Sequence, residues 1–289
     1  MLCYNKQQSN ALSSRQLHKP YAEREVAALR VVVCTKETPD TAAKVEVDAD
    51  GNVTWGDAPL VINPWDEYAV EEAILLKDRG VTTSTVLGVG TETTKEALKH
   101  ALAMGCDEAV LVSDEAFEGA DTLVVSHALA QAIKKMDEVG LVLFGRETTD
   151  GGSGQVPVQV GRWLGWNTLT FVSKIVEIDF EAGTIKVERL LEEGKEIVEG
   201  RLPAVVSVVK GINEPRYPSF MGIRKASRAE IPVWSAAEIG FDESLKPKVT
   251  WPEIYALPPR EGECEIIEAE TAEEAAAILA DRLIAEKVV

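Results

Sequence analysis

From residue 29 onward, short β-branched runs alternate with longer stretches in which apolar positions recur every three or four residues. That rhythm is the signature of a parallel sheet wrapped by helices. The run over 29–34 predicts a first strand. Asn63-Pro64-Trp65-Asp66-Glu67 then predicts a helix start, because Asn suits a cap, Pro the first turn, and the acids the positive end of the helix dipole. Ala69, Val70, Ala73, Ile74 and Leu76 are expected to face the sheet, with Lys77, Arg79 and Gly80 as the stop. A strand over 85–89 leads through Gly90 into a helix over 92–104 ended by Gly105. A strand over 109–112, a helix over 121–139 and a strand over 141–144 complete four β/α units.

After Gly165 the rhythm changes. Runs over 168–178, 184–191 and 196–202, broken by Glu181-Ala182-Gly183 and Glu192-Glu193-Gly194, predict antiparallel strands. Residues 203–209 resume a buried strand, so the antiparallel piece is an excursion from one domain. From Asn213 the chain is irregular and rich in proline, and then ends in an Ala- and Glu-rich helix over 271–287. The expected organisation is a flexible extension over 1–28, an α/β domain over 29–212, and a C-terminal arm over 213–289 that packs on another subunit.

Composition narrows the function classes. A chain of 289 residues, 45% hydrophobic, buries a sizeable core, and no apolar run reaches the length of about 18 residues that crosses a bilayer. The formal charge of −18 repels phosphate backbones and anionic lipid, so neither nucleic acid nor a membrane is an expected partner. Four scattered cysteines fit a reducing, cytoplasmic location. With three histidines and no Cys/His cluster, no metal site is expected.

In an open parallel sheet, ligands sit beyond the carboxyl ends of the strands. Three loops fall there: Cys34-Thr35-Lys36, Val89-Gly90-Thr91, and the run of 145–155 that contains Asp150-Gly151-Gly152-Ser153-Gly154-Gln155. The glycines of the last loop permit close backbone approach, and a helix starting near Gln155 would aim free N–H groups at an anion. A phosphate cradle and a mobile Gly-rich loop are the two readings. No GxGxxG follows the first strand and no GxxxxGK[ST] occurs, which sets aside a nicotinamide dehydrogenase and a P-loop ATPase. Cys34 has no histidine placed to activate it and is read as a small buried residue beside a ligand, not a nucleophile. His100 and His127 are assigned structural roles, Trp163 and Trp166 are expected to bury against the sheet, and the acid pairs Glu71-Glu72 and Glu192-Glu193 are read as solvated. No catalytic constellation emerges.

At these same residues the chain resembles the electron-transfer flavoprotein β-subunit family over nearly all of 29–289. The likeness is carried by Val33-Cys34-Thr35-Lys36 with Asp40, the run from Asn63-Pro64-Trp65-Asp66 to Ala73, Ala101-Leu102-Ala103-Met104-Gly105, the loop from Asp150 to Gln155, the stretch from Val187 to Val206, and Asn213-Glu214-Pro215-Arg216-Tyr217. The resemblance implies an adenine nucleotide α-hydrolase-like, Rossmann-related fold. It also implies a heterodimer with an α subunit carrying a redox FAD, and electron shuttling from dehydrogenase donors to a quinone oxidoreductase or similar acceptor. Nucleotide-contacting positions of the family correspond to Cys34, Asn63, Pro64, Trp65, Asp66 and Val89, and to Asp150, Gly151, Gly152, Ser153, Gly154, Gln155, Val156 and Pro157. Many members read D-D-x-x-N-Q-T-G at the loop and hold AMP. This loop is nearer the D-G-x-x-x-Q-V form of the electron-bifurcating, FixA-like branch, which holds a second FAD, although Pro157 stands where Gly is usual. The alternative is a nucleotide-sensing or nucleotide-hydrolysing protein of related fold.

Overall fold

The computed structural model describes residues 29–48, 50–256, 258 and 264–288; the extension expected over 1–28 lies outside the described residues. Two compact units divide the chain: residues up to Val45 together with Thr54–Pro252, and Glu46–Val53 together with the residues from Glu253 on.

The first unit is built on β1 (Arg30–Cys34). Beyond it come β2 (Glu37–Pro39) and β5 (Leu60–Ile62), which runs antiparallel to β2; between them in sequence lie the small strands β3 (Glu46–Val47), part of the second unit, and β4 (Val53–Thr54), at the division between the units. Then α1 (Pro64–Leu75), β6 (Thr83–Val89), α2 (Thr94–Met104), β7 (Glu108–Val112), α3 (Thr122–Lys135) and β8 (Val139–Gly145) follow in strict alternation. After α4 (Val156–Leu164), the strands β9 (Asn167–Asp179), β10 (Thr184–Leu191) and β11 (Gly194–Arg201) form an antiparallel meander, and β12 (Ala204–Val208) returns parallel to both β8 and β9. The short α5 (Phe220–Ala226), β13 (Val233–Trp234) and α6 (Ala236–Ile239) close this unit, with β13 parallel to β7. Among the described residues the main sheet runs β11-β10-β9-β12-β8-β1-β6-β7-β13. The α/β expectation, with its antiparallel excursion, is borne out.

Alternation along β1 explains the layers. Val31 and Val33 join Ala69, Val70 and Ala73 of α1 and Leu98 and Ala101 of α2 in one core. Val32 and Cys34 face the other way, onto Val124, Ala128 and Ile133 of α3, Val160 of α4 and Ile239 of α6. Both faces of a parallel sheet are therefore buried, which is why its strands are continuous apolar runs. Each fully buried Val or Leu contributes about 1.5–3 kcal/mol of transfer free energy.

Three expectations are corrected. Helix α3 stops at Lys135, not 139, because Glu138 adopts a left-handed backbone (φ 59°) and Val139 already pairs with Arg30 in the sheet. Glu71 and Glu72 are not solvated: they are 4% and 6% exposed, and the segment after β12 folds back on them. There Asn213 Nδ2 donates to Glu72 Oε2 at 3.0 Å, and Arg216 forms an ion pair with Glu71. Burial pushes the Glu72 carboxyl above its ordinary value, partly offset by the Asn213 hydrogen bond. Trp163 keeps 36% of its surface exposed, its Nε1 donating to Ser126 Oγ at 3.1 Å, while Trp166 does pack against the core.

In the second unit the main element is α7 (Ala272–Ala285), whose Thr271 cap accepts the Glu274 N–H. None of its residues is buried. Among the described residues no helix is long and apolar enough to cross a membrane.

Candidate functional site

β1 pairs in parallel with β6 on one side and β8 on the other. The chain leaves β1 toward β6 and β7, then crosses back through α3 to lay down β8 on the opposite flank, so the strand order reverses between β1 and β8. Beyond their carboxyl ends, where such a reversal opens a crevice, lies a cavity of about 300 Å³. Val89, Val125, Leu129 and Phe144 line it with apolar surface, and Thr35, Lys36, the loop after β8 and the first turn of α4 supply polar groups.

Of the residues singled out from the sequence, Cys34, Asp66, Val89, Gly151, Ser153, Gly154, Gln155, Val156 and Pro157 line this cavity. Asn63, Pro64, Trp65, Asp150 and Gly152 are not among its lining residues. Asn63 sits at the cap position of α1 yet makes no side-chain cap. Its amide instead braces the loop after β8, Nδ2 donating to Glu147 O at 2.9 Å and Oδ1 accepting the Thr149 N–H at 3.2 Å. Pro64 begins the helix, as its fixed φ allows. The backbone of Trp65 approaches Gly145 so closely that a Cβ there would stand 2.6 Å from the Trp65 carbonyl carbon.

Asp66 ties the two strand ends together. Its Oδ2 accepts the Lys36 N–H at 3.0 Å and its Oδ1 the Gly145 N–H at 3.3 Å. Burial pushes its carboxyl up to about 7, opposed by the hydrogen bonds it receives. The neighbouring Cys34 thiol is raised well above its ordinary value, first by burial and then by the negative charge of Asp66. A thiolate is the nucleophilic form of cysteine, so this environment suppresses nucleophilic chemistry.

The loop after β8 is held by its own turns. Gly152 N–H donates to Thr148 O at 2.8 Å, and Gly152 and Gly154 have φ of 57° and 61°, a conformation that glycine adopts without strain. The Asp150 carboxylate pairs with Lys36 Nζ; burial works against ionisation, but the Lys36 and Thr148 hydrogen bonds hold it below the usual carboxylate range. Arg146 lies between the Trp65 and Phe171 rings, 5.8 and 5.6 Å from their centres.

Two helix starts reach the cavity, and they differ. At α3, Asp121 caps the helix by accepting the Val124 N–H at 3.0 Å, so an acid already answers that dipole. At α4, Gln155 holds the cap position without any side-chain cap bond. Its free amides and uncompensated dipole favour an anion. Sequence reasoning found the α4 start and the loop that carries Arg146 but missed Asp121 as a lining residue, together with Phe144 and Trp251. The second oxygen of Asp121 accepts the N–H groups of Lys248 and Val249 at 2.6 and 3.1 Å, which fastens the segment carrying Trp251 to the rim. Among the described residues no histidine lines the cavity, and its titratable lining groups include the carboxyls of Asp66, Asp121 and Glu147. The cavity thus sets an apolar floor beside a helix start that has no side-chain cap.

The family described as "Electron transfer flavoprotein domain" matches residues 55–239. Electron transfer flavoprotein subunit beta of Clostridium acetobutylicum is 38% identical over 255 residues, covering 87% of this chain and 96% of the relative. Protein FixA of Azotobacter vinelandii is 37% identical over 246 residues, covering 82% and 88%. Caffeyl-CoA reductase-Etf complex subunit CarD of Acetobacterium woodii is 36% identical over 260 residues, covering 88% and 98%.

Proposed function

The chain belongs to the electron transfer flavoprotein family, among its β-subunit and FixA proteins, and from that premise we propose a β subunit that binds a nucleotide and assembles with an α subunit carrying a redox FAD. In this reading the heterodimer passes electrons from dehydrogenases to a quinone oxidoreductase or similar acceptor in the cytoplasm, and the present chain is a carrier subunit, not an enzyme complete in itself. The sensing or hydrolysing alternative finds no support among these relatives.

The observation that carries the nucleotide assignment is the pairing of an apolar cavity at the β1/β8 reversal with the uncapped start of α4. Phosphates would be met by the α4 amides and the loop backbone, and an adenine by Cys34, Val89 and the α1 start. Between AMP and a second FAD, the loop favours the longer ligand. Val156 offers no hydroxyl to hold a terminal phosphate, and Gly151 and Gly154 leave room for a diphosphate to continue outward. Pro157 lies in the first turn of α4, where its missing N–H is not needed by the helix. A second flavin would supply redox chemistry suited to electron bifurcation; the residues here would bind and orient it.

The deciding experiment is to purify the chain with its α subunit and count the FAD and AMP released per heterodimer. Two flavins, with two separable signals on reductive titration, support the bifurcating form. One flavin, with AMP recovered from the second site, returns the protein to the simple shuttle class.

A further inference from the structure

We propose that Trp251 is a ring-stacking residue of this pocket, its indole closing over the heteroaromatic system of the bound nucleotide; the inference rests on the nucleotide reading above. Trp251 lines the cavity and is 77% exposed, far more than Trp163, the other exposed tryptophan among the described residues. An indole offers 150–250 Å² to bury, and at the mouth of an apolar-floored cavity a flat ring is the ligand surface that covers it.

The backbone that leads to the indole is also anchored. Residues 246–252 form no helix or strand, yet Asp121 Oδ2 accepts two successive amides, of Lys248 and Val249, just before Trp251. The same carboxylate caps α3 through Oδ1, so the rim segment is fastened to a rigid element and not left to swing. Hydrogen bonds from Lys248, Val124 and Val249 hold Asp121 below the usual carboxylate range despite the opposing effect of burial, so its charge persists at neutral pH.

That charge decides which part of the ligand lies beneath the indole. A phosphate next to ionised Asp121 would be repelled, whereas the start of α4 has no acid or cap to compete with it. Phosphates therefore belong at α4, and a ring belongs on the side of Asp121 and Trp251. Base–aromatic stacking tolerates any heteroaromatic face, so this contact adds affinity for AMP and FAD alike without selecting between them.

The test uses the full-length chain in its heterodimer, stripped of nucleotide and titrated with AMP and, separately, with FAD. Trp251→Ala is expected to weaken binding by about tenfold or more, within the range of base–aromatic stacking, whereas Trp251→Phe keeps most of the affinity. FAD should quench an indole emission that wild type shows and Trp251→Phe lacks. Unchanged affinity in Trp251→Ala, or identical quenching in wild type and Trp251→Phe, overturns the stacking role and leaves the pocket assignment standing. A wild-type heterodimer that takes up neither AMP nor FAD overturns both. A Trp251→Ala chain that binds AMP normally by itself but no longer copurifies with the α subunit makes Trp251 a subunit contact, which also ends the proposal.

Discussion

Arg216 grips Glu71 through two parallel hydrogen bonds, Nη2 to Oε1 at 2.7 Å and Nε to Oε2 at 2.8 Å, and its own backbone N–H adds a third at 3.2 Å. The two ends of this pair differ in environment: the Glu71 side chain is 5% exposed and that of Arg216 45%. Removing the arginine leaves a buried carboxylate without its partner, while removing the glutamate leaves a cation that water reaches. Arg216→Ala is therefore expected to lower stability by about 1–3 kcal/mol, discounted from the fully buried case because the guanidinium is half in water, and Glu71→Ala by less. Urea unfolding of the two variants, compared at constant m, checks the order.

Asp66 makes the stability of the α/β unit depend on pH in an unusual direction for a carboxylate. Its folded value near 7 exceeds the ordinary 3.8, so between those limits the folded chain holds a proton that the unfolded chain has released. The contribution of this group is fully present below about pH 4 and is lost as pH rises toward 7. Asp66→Asn should remove that loss, so the difference between variant and wild type shifts in favour of the variant as pH rises from 4 to 7. Thermal or urea midpoints across that window measure it; a constant difference would remove Asp66 as the titrating group.

Two glycines of the ligand loop should fail for different reasons. A Cβ on Gly145 would stand 2.6 Å from Trp65 C and 2.5 Å from Asp66 Oδ1, so Gly145→Ala forces β8 from α1 and is expected to cost about 3 kcal/mol or more, or to prevent folding. At Gly152 a Cβ meets nothing within 4 Å, but φ is 57°. Gly152→Val therefore acts through backbone strain, about 1–3 kcal/mol, confined to the loop. It should leave a folded chain that has lost its nucleotide, which far-ultraviolet circular dichroism together with nucleotide release by acid will show.

Cys34 should be chemically quiet. It is buried and its thiol is held protonated, as is that of Cys106, which burial pushes up to about 12. Native alkylation at pH 8 is expected to spare both, and Cys34→Ala should retain nearly full electron transfer. Loss of transfer with nucleotide still bound would restore a covalent role.

What could be read in advance was local. The β1 run, the Pro64 helix start, the stop at Gly80 and the helix that begins after Gln155 each follow from turn chemistry or periodicity within a few residues. What escaped was long in range. Glu71 and Glu72 resemble a solvated pair because their partners lie 141 to 145 residues further on. In the sequence Asp121 reads only as a helix start because the amides it binds are 127 and 128 residues away, in a segment without periodicity. Asn63 has the right residue type for a cap, and only the packed loop reveals that its amide is used on Glu147 and Thr149. Tertiary partners of this kind leave no mark on either side of the sequence.

The position of β13 sets an order of events during synthesis. Parallel strands that pair across large sequence separations wait for the later strand, and the β7 edge waits for Val233 and Trp234. Once those two residues have left the ribosome, every strand of the main sheet is available, while α7 has still to be translated. The α/β unit can thus close on the nascent chain, since domains form as units in order of their emergence. Helix α7, which buries none of its own residues, is translated after every strand of that sheet, so the sheet does not wait for it.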